Sequence, residues 1–290
     1  MKTARPALGA GFLWLFAILS LAAIATGCVV ASAHGAPLGV WGRNLAAWSV
    51  GAMGAAALAK WAGNRTFIAV VVAAPLAMAA GLLSAGQAGV HRWIDLGPLH
   101  MNVAEVLLAP AVVGWAALAA RPGWPWGTAA LALALLVAQP DASQATALGG
   151  AFLVIATLEG QRVGRWAGAT LVAVAVTMAW LRRDPLAPVA DVEGIMGLAW
   201  RLSPLAAVFA WLALGGAVSA PLILSGSDRR AVRAAALALA IYGMLAVLTP
   251  LLGAFPVPLV GMGMSPILGA WLGAGLLAAL WRSSRQAAPP

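Results

Sequence analysis

The stretch Gly89-Val90-His91-Arg92-Trp93-Ile94-Asp95-Leu96-Gly97 is polar and charged, and it leads within a few residues to Asn102-Val103-Ala104-Glu105 at the head of an apolar segment. A charge at the head of a membrane helix costs on the order of a few kcal/mol unless water, a partner or a function holds it there. Glu105 is therefore a candidate site residue. Other charged groups stand in similar places: Arg43 before the second apolar segment, Asp141 between two apolar arms, and Asp191 with Glu193 in a polar segment. Carboxylates accept protons or hold cations, and the guanidinium fork suits anionic oxygens. His91 and His100 show no metal-ligand spacing and read as loop histidines.

The elements that must position these groups are set by composition. Of 290 residues, 63% are hydrophobic and only 9% charged, whereas a soluble domain carries about 25% charged residues. Only lipid solvates such a chain. Apolar segments recur at 8–31, 45–59, 66–85, 103–120, 127–138, 145–158, 166–181, 204–224, 231–252 and 267–281. The expectation is an all-α polytopic membrane protein with about ten transmembrane helices. The fifth and sixth segments are short enough to form a hairpin whose turn dips below the surface. We expect one integral membrane domain over 1–290, with a short frayed tail from about 283. Segment 8–31 reads as a retained first helix, although Lys2, Arg5 and Ala31-Ser32-Ala33 echo a secretory leader. Cys28 is the single cysteine, which excludes an intramolecular disulfide. Gly269 and Gly273 mark a small-residue helix face suited to internal packing.

Net charge is +9, but the basic residues are scattered over short loops. That pattern argues against a nucleic-acid partner and for the positive-inside rule. With the N-terminus inside, the cytoplasmic segments hold Lys2, Arg5, Lys60, Arg65, Arg121, Arg162, Arg165, Arg229, Arg230, Arg233, Arg282 and Arg285. The outer segments keep Arg43, Arg92, Arg182, Arg183 and Arg201. Both termini are thus expected in the cytoplasm, with 86–102 and 182–203 outside. Asp95, Glu105, Asp141, Asp184, Asp191 and Glu193 also fall on the outer side, against Glu159 and Asp228 inside. Polar chemistry gathers on one face, whereas a transporter usually also places polar groups near the midplane.

Five places in order resemble the SEDS family, the FtsW/RodA/SpoVE proteins of bacterial cell-wall synthesis. Gly42-Arg43-Asn44, leading to Trp48 and Gly51, resembles the K-R-Q…W…G entry to the second helix. His91-Arg92-Trp93-Ile94 with Glu105 resembles R-R-W-I…Q-P-S-E. Gln139-Pro140-Asp141 resembles Q-P-D, and Pro188-Val189-Ala190-Asp191-Val192-Glu193 resembles P-E-A-H-T-D. Phe255-Pro256-Val257-Pro258, continuing to Ser265, resembles I-P-L-P-F-V-S-Y-G-G-S.

The resemblance implies a multi-pass protein of the bacterial inner (plasma) membrane that joins lipid II units, disaccharides on undecaprenyl diphosphate, at the outer face. It implies a class B penicillin-binding transpeptidase as partner and a divalent cation (Mg or Mn), with no organic cofactor. By the same resemblance Glu193 or Asp191 is the base, Arg43 and Arg92 hold diphosphate oxygens, and Glu105 and Asp141 orient the arginines or a cation. Trp93 packs on sugar or lipid, and Ser265 completes the substrate site. This chain departs from the family pattern at Val103, Ala104 and Leu108, and at Gly261 and Met262; the family's aspartate is Glu193 here. Two other readings remain: a transporter of lipid-linked precursors, and a catalytically silent scaffold in an envelope assembly.

Overall fold

The apolar segments become helices, because backbone in lipid must satisfy its own hydrogen bonds. The computed structural model describes residues 6–286 except Pro98, Gln161 and Arg183. Lys2, Arg5, Arg183, the Arg162 side chain and residues 287–290 of the expected tail lie outside that description. In chain order the elements are α1 (Pro6–Ala33), α2 (Leu38–Trp61), α3 (Asn64–Gly81), β1 (Trp93–Leu96), β2 (Leu99–Asn102) and α4 (Val103–Leu118). There follow α5 (Trp124–Ala138), α6 (Ala142–Glu159), α7 (Arg162–Leu181), α8 (Ile195–Leu202), α9 (Pro204–Ser219), α10 (Arg230–Leu248) and α11 (Met264–Gln286). Apart from the short α8, these helices correspond in order to the ten expected spans. Among the described residues, 7 helices are long and apolar enough to cross a membrane. The chain is a multi-pass membrane protein.

The two ends of the chain meet at one end of the bundle. A Cβ on Gly9 would lie 2.6 Å from the Trp281 ring, and Arg282 Nη2 donates to Ala62 O at 2.7 Å, at the α2–α3 turn. The opposite end carries the connections α3–α4, α5–α6, α7–α8 and α10–α11, and holds the candidate site. At the centre α4 is buried on every side from Leu108 to Ala116, packed among α3, α6, α10 and α11. Gly269 explains how α11 comes so close: a methyl there would sit 1.9 Å from the Glu105 carbonyl oxygen. Gly273 faces Ala109 in the same way. The small-residue face is internal packing.

Three features depart from the sequence reading. Residues expected as an outer loop form an antiparallel hairpin, with Trp93 opposite Asn102, Ile94 opposite Met101, and Asp95 opposite His100. His100 is therefore a strand residue, while His91 stays in the loop with Nδ1 2.8 Å from Ser84 O. Next, segment 182–203, expected as an outer connection, contains α8, whose Ile195 and Ala199 are buried while Trp200 is exposed. Last, residues 283–286 continue α11 instead of fraying. Ser283 and Ser284 donate to the carbonyls of Leu280 and Trp281, which holds the last turn together.

Candidate active site

Glu105 owes its place to Asn102. The Asn102 Oδ1 accepts from Ala104 N at 3.1 Å and Glu105 N at 3.4 Å, an N-cap that starts α4 at this point. The Asn102 N–H donates to Ser265 Oγ at 3.0 Å, fastening the head of α11 to the head of α4. Ser265 thus has a structural bond as well as a place in the site.

The α5–α6 turn is buried in protein, with Gln139 1% and Asp141 4% exposed. Gln139 Nε2 donates to Met78 O at 2.9 Å, and Asp141 Oδ1 caps α6 by accepting from Gln144 N at 3.0 Å. Arg92 reaches into this turn. Its Nε donates to Gln139 O at 2.8 Å, its Nη2 to Pro140 O, and its Nη1 pairs with Asp184 Oδ2 at 2.8 Å. Asp141 Oδ2 lies 3.8 Å from Arg92 Nε. One guanidinium therefore joins the hairpin, the buried turn and the α7–α8 segment. Asp141 therefore stands within ion-pair distance of the arginine.

The α7–α8 segment carries the two candidate bases. Glu193 Oε2 accepts from Val189 N at 2.7 Å, closing a turn in which Glu193 N donates to Val189 O at 3.0 Å. Burial pushes the Glu193 carboxyl above the usual carboxylate range, against the pull of those backbone N–H groups; Asp184 and Asp191 add to the rise. The Asp191 carbonyl accepts from Met262 N at 2.9 Å. Asn44 Nδ2 donates to Gly261 O at 2.9 Å. Segment 252–263 is thereby stitched to both α2 and the α7–α8 segment.

These pieces enclose a cavity of about 320 Å³. Of the expected site residues, Arg92, Trp93, Glu105, Asp141, Glu193 and Ser265 line it; Asp191 and Arg43 do not. Arg43 is exposed on α2, and its neighbour Asn44 takes the buried position. Helix periodicity puts adjacent residues about 100° apart, so both could not face inward. Asp184, Gln144 and Tyr242 were not anticipated. Nothing in sequence marks Asp184, but Tyr242 is the single tyrosine of the chain and sits in an apolar helix. Its hydroxyl donates to Gln144 Oε1 at 2.5 Å. A narrower apolar cavity of about 60 Å³ between α4, α9, α10 and α11 shares Glu105, Gln144 and Pro266 with the polar one. Among the described residues no group of three or more His, Cys, Asp or Glu is placed to hold a metal ion.

No family model matches the sequence, and no curated protein matches it. Solved structures do. A point variant of the rod-shape-determining protein RodA of Thermus thermophilus superposes with a TM-score of 0.70 at 21% identity, covering 93% of this chain and 97% of that one. The chain has the RodA fold. The unsubstituted Thermus RodA gives 0.68 at 20% identity over 93% and 96% of the two chains. A chain of a peptidoglycan synthase complex, described for its structural coordination of polymerization and crosslinking, gives 0.66 at 23% over 94% and 98%. In this RodA fold the polar cavity is built by four connections that all lie at one end of the bundle.

Proposed function

We propose that the protein is a SEDS-type peptidoglycan glycosyltransferase, polymerising lipid II at the outer face of the bacterial inner membrane. The observation that carries this reading is the cavity in which Glu193 and Glu105 meet beside an apolar extension, within a RodA fold. A lipid-linked diphosphate sugar needs such a junction of polar and apolar walls. Glu193 takes the proton of the acceptor hydroxyl as its oxygen attacks the donor's anomeric carbon. The bond to the diphosphate breaks, and the diphosphate leaves with the electron pair. A carboxylate whose affinity for protons is raised by burial suits a base better than an ordinary one. Arg92 contributes positive charge at the wall, and Glu105 stands where head group and lipid tail divide. A penicillin-binding transpeptidase is the fitting partner, because the synthase complex among the structural neighbours couples polymerization to crosslinking.

The rewritten family positions at Val103, Ala104, Gly261 and Met262 favour a second reading, a silent scaffold. Incubating the purified protein with purified lipid II, with and without its transpeptidase, separates the two. Glycan polymer is expected. No polymer under either condition, with the transpeptidase still bound, leaves the scaffold.

A further inference from the structure

At the end of the bundle away from Glu193, the α4–α5 connection and the facing ends of α5, α6 and α7 enclose another cavity, of about 660 Å³. Small-molecule sites are built over a range of about 300–1,000 Å³. Arg121 and Glu159 stand on its wall, and the chemistry at Glu193 uses neither. Arg121 Nη2 donates to Asn64 Oδ1 at 3.1 Å, which leaves most of its N–H groups without a partner among the described residues. Glu159 ends α6, where the helix dipole already gathers negative charge. Its Oε1 is withdrawn from water and has no hydrogen-bond partner among the described residues. Arg230 and Arg233 on α10 act on its charge at longer range. A carboxylate placed like this at the end of a membrane helix calls for a cation.

The wall between the two charges is apolar and bare of large side chains. Gly164, Ala167 and Gly168 line it from one face of α7, as helical spacing requires. A Cβ on Gly127 or Gly164 would meet nothing within 4 Å. Phe152 closes the deep end. A Cβ on Gly168 would lie 2.9 Å from the Phe152 ring, and Trp126 braces that ring edge-on with centroids 5.5 Å apart. Between Glu159 and Phe152 α6 rises about 10 Å, roughly a third of the hydrocarbon core. The cleft therefore runs from the level of lipid head groups into the level of acyl chains.

Opposite charges above an apolar cleft select a zwitterionic amphiphile. An anionic head group would meet Arg121 but be repelled by Glu159, and a simple cation would leave Arg121 idle. A phosphodiester carrying a primary ammonium satisfies both. Its phosphate oxygens suit the guanidinium fork, and its ammonium donates to the carboxylate. A quaternary ammonium has the same charge but no N–H to donate.

We propose that this cleft is a phosphatidylethanolamine site, with the lipid phosphate on Arg121, the ammonium on Glu159 and the start of an acyl chain along α7. The purified protein is delipidated in detergent and titrated with phosphatidylethanolamine, phosphatidylcholine or phosphatidylglycerol of matched acyl chains. Bound lipid is counted by native mass spectrometry. Phosphatidylethanolamine should bind about tenfold more tightly than the other two. Glu159→Gln should erase its advantage over phosphatidylcholine, and Arg121→Gln should weaken both zwitterionic lipids. Gly164→Leu fills the cleft without touching a charge and should weaken all three. Variants are compared at an unchanged unfolding temperature, and Gly164→Leu takes the place of Glu159→Gln should that variant fail to fold. Equal binding of the three lipids by the native protein, or a preference for phosphatidylglycerol, overturns the site. So does an advantage over phosphatidylcholine that survives Glu159→Gln, or binding left unchanged by Arg121→Gln.

Discussion

The Arg92 guanidinium meets the Asp184 carboxylate at 2.8 Å, and this pair ties the approach to the hairpin to the segment carrying Glu193. Both side chains are largely withdrawn from solvent, at 6% and 21% exposure. Breaking a buried pair from one side costs about 3–5 kcal/mol because the remaining charge is stranded. Asp184 is partly solvated, so Asp184→Asn should cost roughly 2 kcal/mol. Thermal unfolding in detergent measures it, and an unchanged midpoint would show that the pair holds nothing together.

Glu193 and Asp191 can be told apart by rate and pH. Glu193→Gln should lower the polymerisation step by about 10²–10⁴ with substrate binding largely kept, while Asp191→Asn should stay near native. A base works ionised, so the rate should rise with pH through the Glu193 pKa, which lies above the ordinary carboxylate range. The acid limb is therefore displaced upward and should vanish in the residual activity of Glu193→Gln. Loss of activity in Asp191→Asn alone would reassign the base.

Gly269→Ala tests the contact between α11 and α4. The added methyl would meet the Glu105 carbonyl oxygen at 1.9 Å, and neither backbone can yield without moving its helix. A loss of about 1–3 kcal/mol is expected. Gly127→Ala, where nothing lies within 4 Å, is the control and should be neutral or slightly stabilising. Equal unfolding temperatures for the two variants would refute the close approach.

Tyr242→Phe removes the donor to Gln144 Oε1 while keeping the ring. An unsatisfied buried amide oxygen costs about 1–3 kcal/mol. The variant should unfold earlier, and Tyr242→Phe combined with Gln144→Leu should recover part of the loss. A double variant no better than the single one would show that the pair is uncoupled.

Orientation is testable by labelling. Cysteines introduced at Ala88 and Ala187, both exposed, should react with an impermeant maleimide in intact cells. Cys28 is buried with its Sγ 3.4 Å from Trp41 O, so background labelling should be low. Protection of both sites until lysis would invert the topology.

Helix number and order were legible in the chain because apolar length alone commits a segment to span lipid. So was the gathering of Arg92, Trp93, Glu105, Asp141 and Glu193 at one end, since alternating spans put every second connection on the same side. The β1–β2 hairpin departs from the loop expected there, because strands of only 4 residues each carry too short an alternation to stand out between apolar helices. Other relationships have no local signature. Whether Arg43 or Asn44 faces inward depends on the rotation of α2 against its neighbours, and no adjacent residue encodes that rotation. Asp184 finds Arg92, and Tyr242 finds Gln144, only after helices far apart in sequence have packed. Sequence determined which groups carry charge and on which end of the bundle they lie, because burial and hydrophobic length act residue by residue. Tertiary packing alone decided which of those charges share a cavity and which are held by other parts of the protein, because that choice depends on side-chain direction at distances of a few ångströms.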